Sequence, residues 1–300
     1  MSRLTKYRSY VLPVAILLGF LFHDHCARFS FLVPYLIFAI LVLNFVAVDL
    51  RRLRFSMLHF WLMLFQTVVS VALYVAAKAL GGGETVAQGL MIGVLCPVAS
   101  SVVVVSSMLG ADRMTTTSYT MLCNIGMSVI APLYFSVIGV HPELSFGMSF
   151  LMTFKRIAPT IALPFFVVLL LQILLPKAND ALCKYQSMSF YLWAVALFLT
   201  LGKTISFMLS QGGGSIGTIA LLGILSLALC ALQFAFGKWL GGLYGDRIAG
   251  GQLLGQKNTA LGIWMSTVYL EPLSSVLLAF YIILQNLFNS LQLWYHDKRM

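Results

Sequence analysis

Ten apolar runs follow one another along this chain, at about 9–22, 29–49, 56–80, 84–109, 114–138, 157–175, 187–209, 215–237, 248–270 and 272–295. Crossing a ~30 Å hydrocarbon core takes roughly 20 apolar residues in a helix. Inside lipid every backbone N–H and C=O must find a partner within protein, which leaves helices as the spanning form for runs like these. Charged residues make up 9% of the 300 and hydrophobic ones 60%, where a soluble domain carries about 25% charge. A water-facing exterior cannot be assembled from so few charges. The expected fold is therefore an all-α polytopic membrane protein of ten transmembrane helices, forming one transmembrane domain over residues 1–300.

A formal net charge of +10 raises the question of a nucleic-acid partner. The Lys and Arg residues answer it: they sit in short clusters between apolar runs, where they act as topology signals, so the expected partner is the lipid bilayer. With the N-terminus in the cytoplasm, 13 of them fall on the cytoplasmic side and 5 (Arg28, Lys78, Lys155, Arg156 and Lys203) on the other, while Lys257 lies within a span. That asymmetry predicts a multi-pass protein of the cell inner (plasma) membrane with both termini cytoplasmic. Arg3, Lys6 and Arg8 precede the first run in the manner of a signal peptide. No small-residue cleavage site follows, and the segment is expected to be retained as a first helix. The five scattered cysteines form no CxxC pair, so neither a disulfide framework nor a zinc site is indicated.

An even span count divides into two five-helix halves of opposite orientation, roughly 1–140 and 145–300. Inverted repeats of this kind recur among secondary transporters, although the two halves show no residue-level likeness. Two spans carry helix-unfriendly sequence near their middles. The fourth reads Ile92-Gly93-Val94-Leu95-Cys96-Pro97-Val98-Ala99-Ser100-Ser101, where Pro97 removes a donor and crowds the preceding turn. The ninth reads Gly250-Gly251-Gln252-Leu253-Leu254-Gly255-Gln256-Lys257-Asn258-Thr259-Ala260. Each is the fourth span of its half. Either break alone is as well explained by a packing kink. Paired at matching positions and flanked by polar side chains, they point to a transport site.

Lys257 is the most informative residue. A charge at mid-bilayer costs roughly 2.5–3.5 kcal/mol on insertion scales and is usually functional. Snorkelling to an interface is a long reach from this position, so a buried role is expected. No carboxylate has such a place: all nine lie in loops or at span ends, and neither a carboxylate cation site nor a proton relay is visible. Thr116, Thr120, Asn124 and Ser128 recur every fourth residue on one face of the fifth span; they serve either as interhelical glue or as site lining. Gln66, Asn286 and Asn289 carry the same ambiguity. His23-Asp24-His25 reads as a solvated loop, His59 as an interfacial residue, and the runs Gly81–Gly83 and Gly212–Gly214 as turns. Ser145–Phe154 reads as an interfacial lead-in to the sixth span.

Residues 92–139 and 250–295 resemble the bile acid:sodium symporter family. The likeness is carried by Pro97, Ser100-Ser101, Gly110-Ala111-Asp112, Thr116, Thr120 and Pro132, and by Leu253-Leu254-Gly255-Gln256-Lys257-Asn258-Thr259-Ala260-Leu261 against that family's Glu-x-Gly-x-Gln-Asn-Ser-Gly-Leu core. The resemblance implies ten helices in a panel and a core domain, with spans four and nine crossing at their breaks, and transport of organic anions with sodium. It also implies that Ser100, Ser101, Thr116, Thr120 and Asn258 line the ion-binding region. Two departures stand out. Leu253 replaces the sodium-ligating glutamate, and Lys257 replaces a glutamine. An ammonium ~4 Å from sodium repels it by about 4 kcal/mol at an effective dielectric of 20. The branch of the family with lysine in this stretch looks the more similar.

The expectation is a secondary active transporter of a small or amphipathic organic anion working by alternating access, its sodium coupling weakened or replaced by Lys257. No other cofactor is expected. The substrate- or ion-binding set is Ser100, Ser101, Thr116, Thr120, Asn124, Gln256, Lys257, Asn258 and Thr259, with Pro97 and Gly255 breaking the helices. An integral-membrane enzyme acting on lipids is the alternative from another class, but it needs a nucleophile or a His/acid cluster that is not evident. A channel or regulatory membrane protein is the third reading, since broken helices also occur in channels.

Overall fold

A chain whose apolar runs are cut by prolines and glycines folds into whole and broken helices, and the computed structural model shows both. It describes residues 14, 17–50, 53–99, 101–139, 146–210 and 216–298. Ser100, Glu143, Ser145, the Gly212–Gly214 run and the basic residues Arg3, Lys6, Arg8, Arg51, Arg52 and Arg299 lie outside the described residues. Helical turns from residue 17 lead into α1 (His23–Phe29), followed by α2 (Val33–Phe45), α3 (Met57–Ala79), α4 (Gly83–Leu95) and α5 (Val102–Met108). Then come α6 (Arg113–Ile138), α7 (Phe146–Ile161), α8 (Leu163–Leu174), α9 (Pro176–Cys183) and α10 (Met188–Ser210). The chain ends with α11 (Ile216–Leu243), α12 (Arg247–Gly255), α13 (Thr259–Tyr269) and α14 (Ser275–Asp297). No strand occurs among the described residues.

Four helical stretches are long and apolar enough to cross a membrane unbroken: Met57–Ala79, Arg113–Ile138, Ile216–Leu243 and Pro272–Leu293. Shorter apolar helices accompany them, and the fourth and ninth runs are each split into two, as α4 with α5 and α12 with α13. Both expected breaks are present. The turn between α3 and α4 holds Gly81 and Gly83 at φ +77° and +71°, a region open to glycine and costly for other residues.

Two groups of helices can be told apart by packing. α1, α2, α7, α8 and α10 form one group, α3 to α6 and α11 to α14 the second; α6 touches the first through α7, and α13 and α14 through α10. Within the second group α11 and α12 approach closely through Gly237, Gly241 and Gly250: a Cβ built at Gly250 would overlap the Gly237 carbonyl oxygen. Small residues of this kind let helices in lipid pack backbone to backbone. At the α12 end of that contact Asp246 caps α12 through the Ala249 N–H at 2.8 Å and takes the Asp112 N–H at 3.0 Å. Asp112 in turn caps α6, and bonds from the Thr115 hydroxyl and N–H hold its carboxyl below the usual carboxylate range.

Residues 146–154, the expected lead-in, are the first turns of α7, which has Pro159 inside and is separated from α8 by a turn at Ala162. One expectation needs correction. His23-Asp24-His25 belongs to α1 and not to a loop, although Asp24 and His25 are exposed; the helix persists because Cys26 is buried, packing where Gly202 of α10 leaves room. Lys203 lies inside the seventh run as expected, with α10 continuing seven residues past it to Ser210. The five cysteines are all free.

Candidate functional site

α4 ends at Leu95 because the residue two beyond it is proline, which has no N–H to donate and clashes with the turn before it. α12 ends at Gly255, where a glycine weakens the helix. Beyond each end the backbone extends, with Cys96 at ψ 131° and Gln256 at ψ 115°. The two extended pieces lie antiparallel and pair at Val98 and Lys257. The Ala99 N–H donates to the Gln256 carbonyl at 3.1 Å, and the Asn258 N–H to the Pro97 carbonyl at 2.8 Å. The broken spans cross here.

A helix end leaves its last four carbonyls without intrahelical partners, and in lipid each of them needs one. At the end of α4 each has one. Ile92 accepts the Cys96 N–H at 2.9 Å. Gly93 accepts the Gln233 amide of α11 at 3.2 Å. Val94 accepts the Lys257 ammonium at 2.8 Å. Leu95 accepts the Gln66 amide of α3 at 3.3 Å, and the same amide donates to Cys96 beyond it at 2.6 Å. Three different segments of the chain thus close one helix end.

The other side of the crossover is held in a similar way. Gln285 of α14 accepts the Lys257 N–H at 2.8 Å and donates to the Lys257 carbonyl at 3.2 Å, the pairing a neighbouring strand would make. The Tyr281 hydroxyl donates to the Gly255 carbonyl at 2.9 Å, and the Gln233 amide donates to Tyr281 in turn at 3.1 Å. On the α3 side, Tyr119 and Cys123 of α6 donate to the Gln66 oxygen at 2.9 and 3.4 Å. The Cys96 thiol donates to the Asn258 carbonyl at 3.1 Å.

Lys257 is 1% exposed. No ion pair joins its ammonium to a carboxylate among the described residues; His23–Asp24 and Lys78–Glu84 are pairs found elsewhere. Position 253 is a fully buried leucine. What faces the cation is the carbonyl end of α4, which carries the negative pole of the helix dipole.

The remaining predicted residues fall into three sets. Pro97, Gly255, Gln256, Lys257, Asn258 and Thr259 come together at the crossover; the Gln256 amide bonds to Gln252, and the Asn258 oxygen caps α13 through the Leu261 N–H at 3.3 Å. Ser101 is exposed at the start of α5. Thr116, Thr120, Asn124 and Ser128 are buried on α6. Each of these four donates to a carbonyl of its own helix turn, Thr120 to Thr116 and Asn124 to Thr120, both at 2.7 Å. Their oxygens remain acceptors. The Asn124 side-chain oxygen and the Ser106 hydroxyl of adjacent α5 are buried without a partner among the described residues. No group of three or more His, Cys, Asp or Glu suited to a metal occurs among the described residues.

Sequence reasoning overlooked Gln233, Gln285, Tyr119 and Tyr281 and left Gln66 undecided. A signal was present. An amide or phenol alone in an apolar run is costly unless it is paired, so each isolated glutamine implies a backbone group in need. Gln172 of α8 follows the rule, clasping the Leu50 N–H at 3.0 Å and the Val48 carbonyl at 2.6 Å where the chain leaves α2.

No curated protein matches the sequence at significance. Residues 44–295, which include both broken spans and the whole crossover, match the SBF-like CPA transporter family, a family related to the bile acid:sodium symporters, and the chain belongs to it as a multi-pass membrane protein.

Proposed function

We propose that this protein is a secondary active transporter of a small or amphipathic organic anion, in which Lys257 supplies as a fixed charge what a bound sodium supplies in bile acid:sodium symporters. The observation that carries the reading is the 2.8 Å bond from the buried Lys257 ammonium to the Val94 carbonyl, spanning the two broken helices with no carboxylate beside it among the described residues. A cation at that point neutralises the converging carbonyls whether it is free or tethered. A tethered one leaves no room for a mobile one.

The whole chain is taken as one domain of ten spans in two inverted halves. A paired constellation supports the repeat. In the first half Gln66 of the third span bonds Tyr119 of the fifth, and in the second Gln233 of the third bonds Tyr281 of the fifth. Both pairs flank the crossover. The acceptor face of α6, with Thr116, Thr120 and Asn124, is the nearest candidate for a residual ion or for polar substrate groups, and Ser100 and Ser101 complete that set. Alternating access would rock the first helix group against the second around the crossover.

The test is counterflow of organic anions in proteoliposomes with sodium exchanged for choline. Transport is expected to persist within about threefold. Lys257→Gln is expected either to abolish transport or to make it sodium-dependent. A strict sodium requirement in the wild type would overturn the reading.

A further inference from the structure

A cavity of about 990 Å³ opens between the end of α5, α11, α12 and α14. Its walls are of two kinds. Phe234, Ala235, Phe288 and Leu291 line it with hydrocarbon, and Lys238, Arg247 and His296 set cationic or ionisable groups along it. Trp239, Tyr244 and Tyr295, all exposed, stand around the same end of the helices. Exposed Trp and Tyr of membrane proteins concentrate at headgroup level, so the cationic part of the cavity lies at the interface and the apolar part lies deeper. The nearby carboxylate of Asp246 is taken up by two backbone N–H groups. A basic pocket between membrane helices, apolar in depth and charged at headgroup level, has the chemistry of an anionic lipid site.

We propose that this cavity seats one anionic phospholipid, its phosphate against Lys238 and Arg247 and a chain along Phe234, Phe288 and Leu291. A zwitterionic lipid brings its own cation to the same place and is disfavoured. The site communicates with the crossover. Gln292 lines the cavity and accepts the Gln252 amide at 3.2 Å; Gln252 accepts the Gln256 amide; and the Gln256 carbonyl accepts the Ala99 N–H across the bridge. Occupancy therefore bears on the element that the transport reading depends on, while the binding itself does not rest on that reading.

The experiment uses the full chain purified in a neutral maltoside detergent. Phosphatidylglycerol and phosphatidylcholine with identical acyl chains are titrated separately, with bound lipid read by native mass spectrometry. Phosphatidylglycerol is expected to bind at least tenfold more tightly, and its affinity to fall as salt is raised. The double variant Lys238→Gln with Arg247→Gln is expected to weaken it about 30-fold, which corresponds to about 2 kcal/mol at ~1 kcal/mol per basic residue. Phe288→Trp, which fills the chain groove and keeps both charges, is expected to weaken it as well. Equal affinity for the two lipids, indifference to salt in the wild type, or displacement by inorganic phosphate or a soluble bile acid at equal concentration would each overturn the proposal. None of these outcomes depends on transport activity.

Discussion

Gln66 shows how much one side chain can hold inside a membrane. Its amide donates to two carbonyls at the end of α4, and its oxygen accepts a phenol and a thiol from α6. Every polar atom it offers is used, and each of its partners is buried. Replacing it by leucine strands those partners without water to take its place. Leaving a buried donor or acceptor unmet costs about 1–3 kcal/mol, so Gln66→Leu is expected to lower the melting temperature in detergent by several degrees. An unchanged melting temperature would show that the end of α4 is satisfied in another way. Asn286 is as ambiguous in sequence, yet its amide donates to the Ile282 carbonyl of its own helix at 2.7 Å. Lys257 differs in kind from Gln66: it brings an amine to the same helix end, and the proposed sodium independence rests on it.

Among the elements, α12 is the most tightly constrained. It is nine residues long, too short to cross a membrane, and depends on α11 for its place. Gly250 faces Gly237 and Gly241 with no space for a methyl group. Gly250→Ala must push the two helices apart and shift the crossover that α12 carries at its end. A cost of about 1–3 kcal/mol is expected from such overpacking, with loss of transport. Gly242→Ala is the control, since a Cβ there meets nothing within 4 Å, and it is expected to leave both melting temperature and transport unchanged. Thermal unfolding of the two variants side by side checks this.

For the molecule as a whole, the balance of Lys and Arg predicts both termini on one side of the membrane and the α3–α4 turn on the other. Single cysteines at Thr5, Leu80 and Lys298 report on this in intact cells treated with a membrane-impermeant maleimide. Leu80 is 87% exposed and is expected to react, while Thr5→Cys and Lys298→Cys react only after the cells are opened. Cys26, Cys96, Cys123 and Cys230 are buried; Cys183 is changed to serine to keep the background silent. Labelling of either terminus in intact cells would reverse the orientation or change the number of spans.

The sequence by itself determined where the chain meets lipid, where two of its spans must break, and that a lysine sits at one of the breaks. These are local properties: apolar run length, a missing proline N–H and a charge inside a run act within a few residues of where they are written. The partners were decided only by tertiary structure. Lys257 bonds a carbonyl 163 residues away and Gln233 one 140 residues away, and no periodicity along a chain states which helix end will be brought to which amide. The same reason explains the error at His23-Asp24-His25, which is helical and not a loop because Cys26 packs against α10, a contact that its own composition does not state.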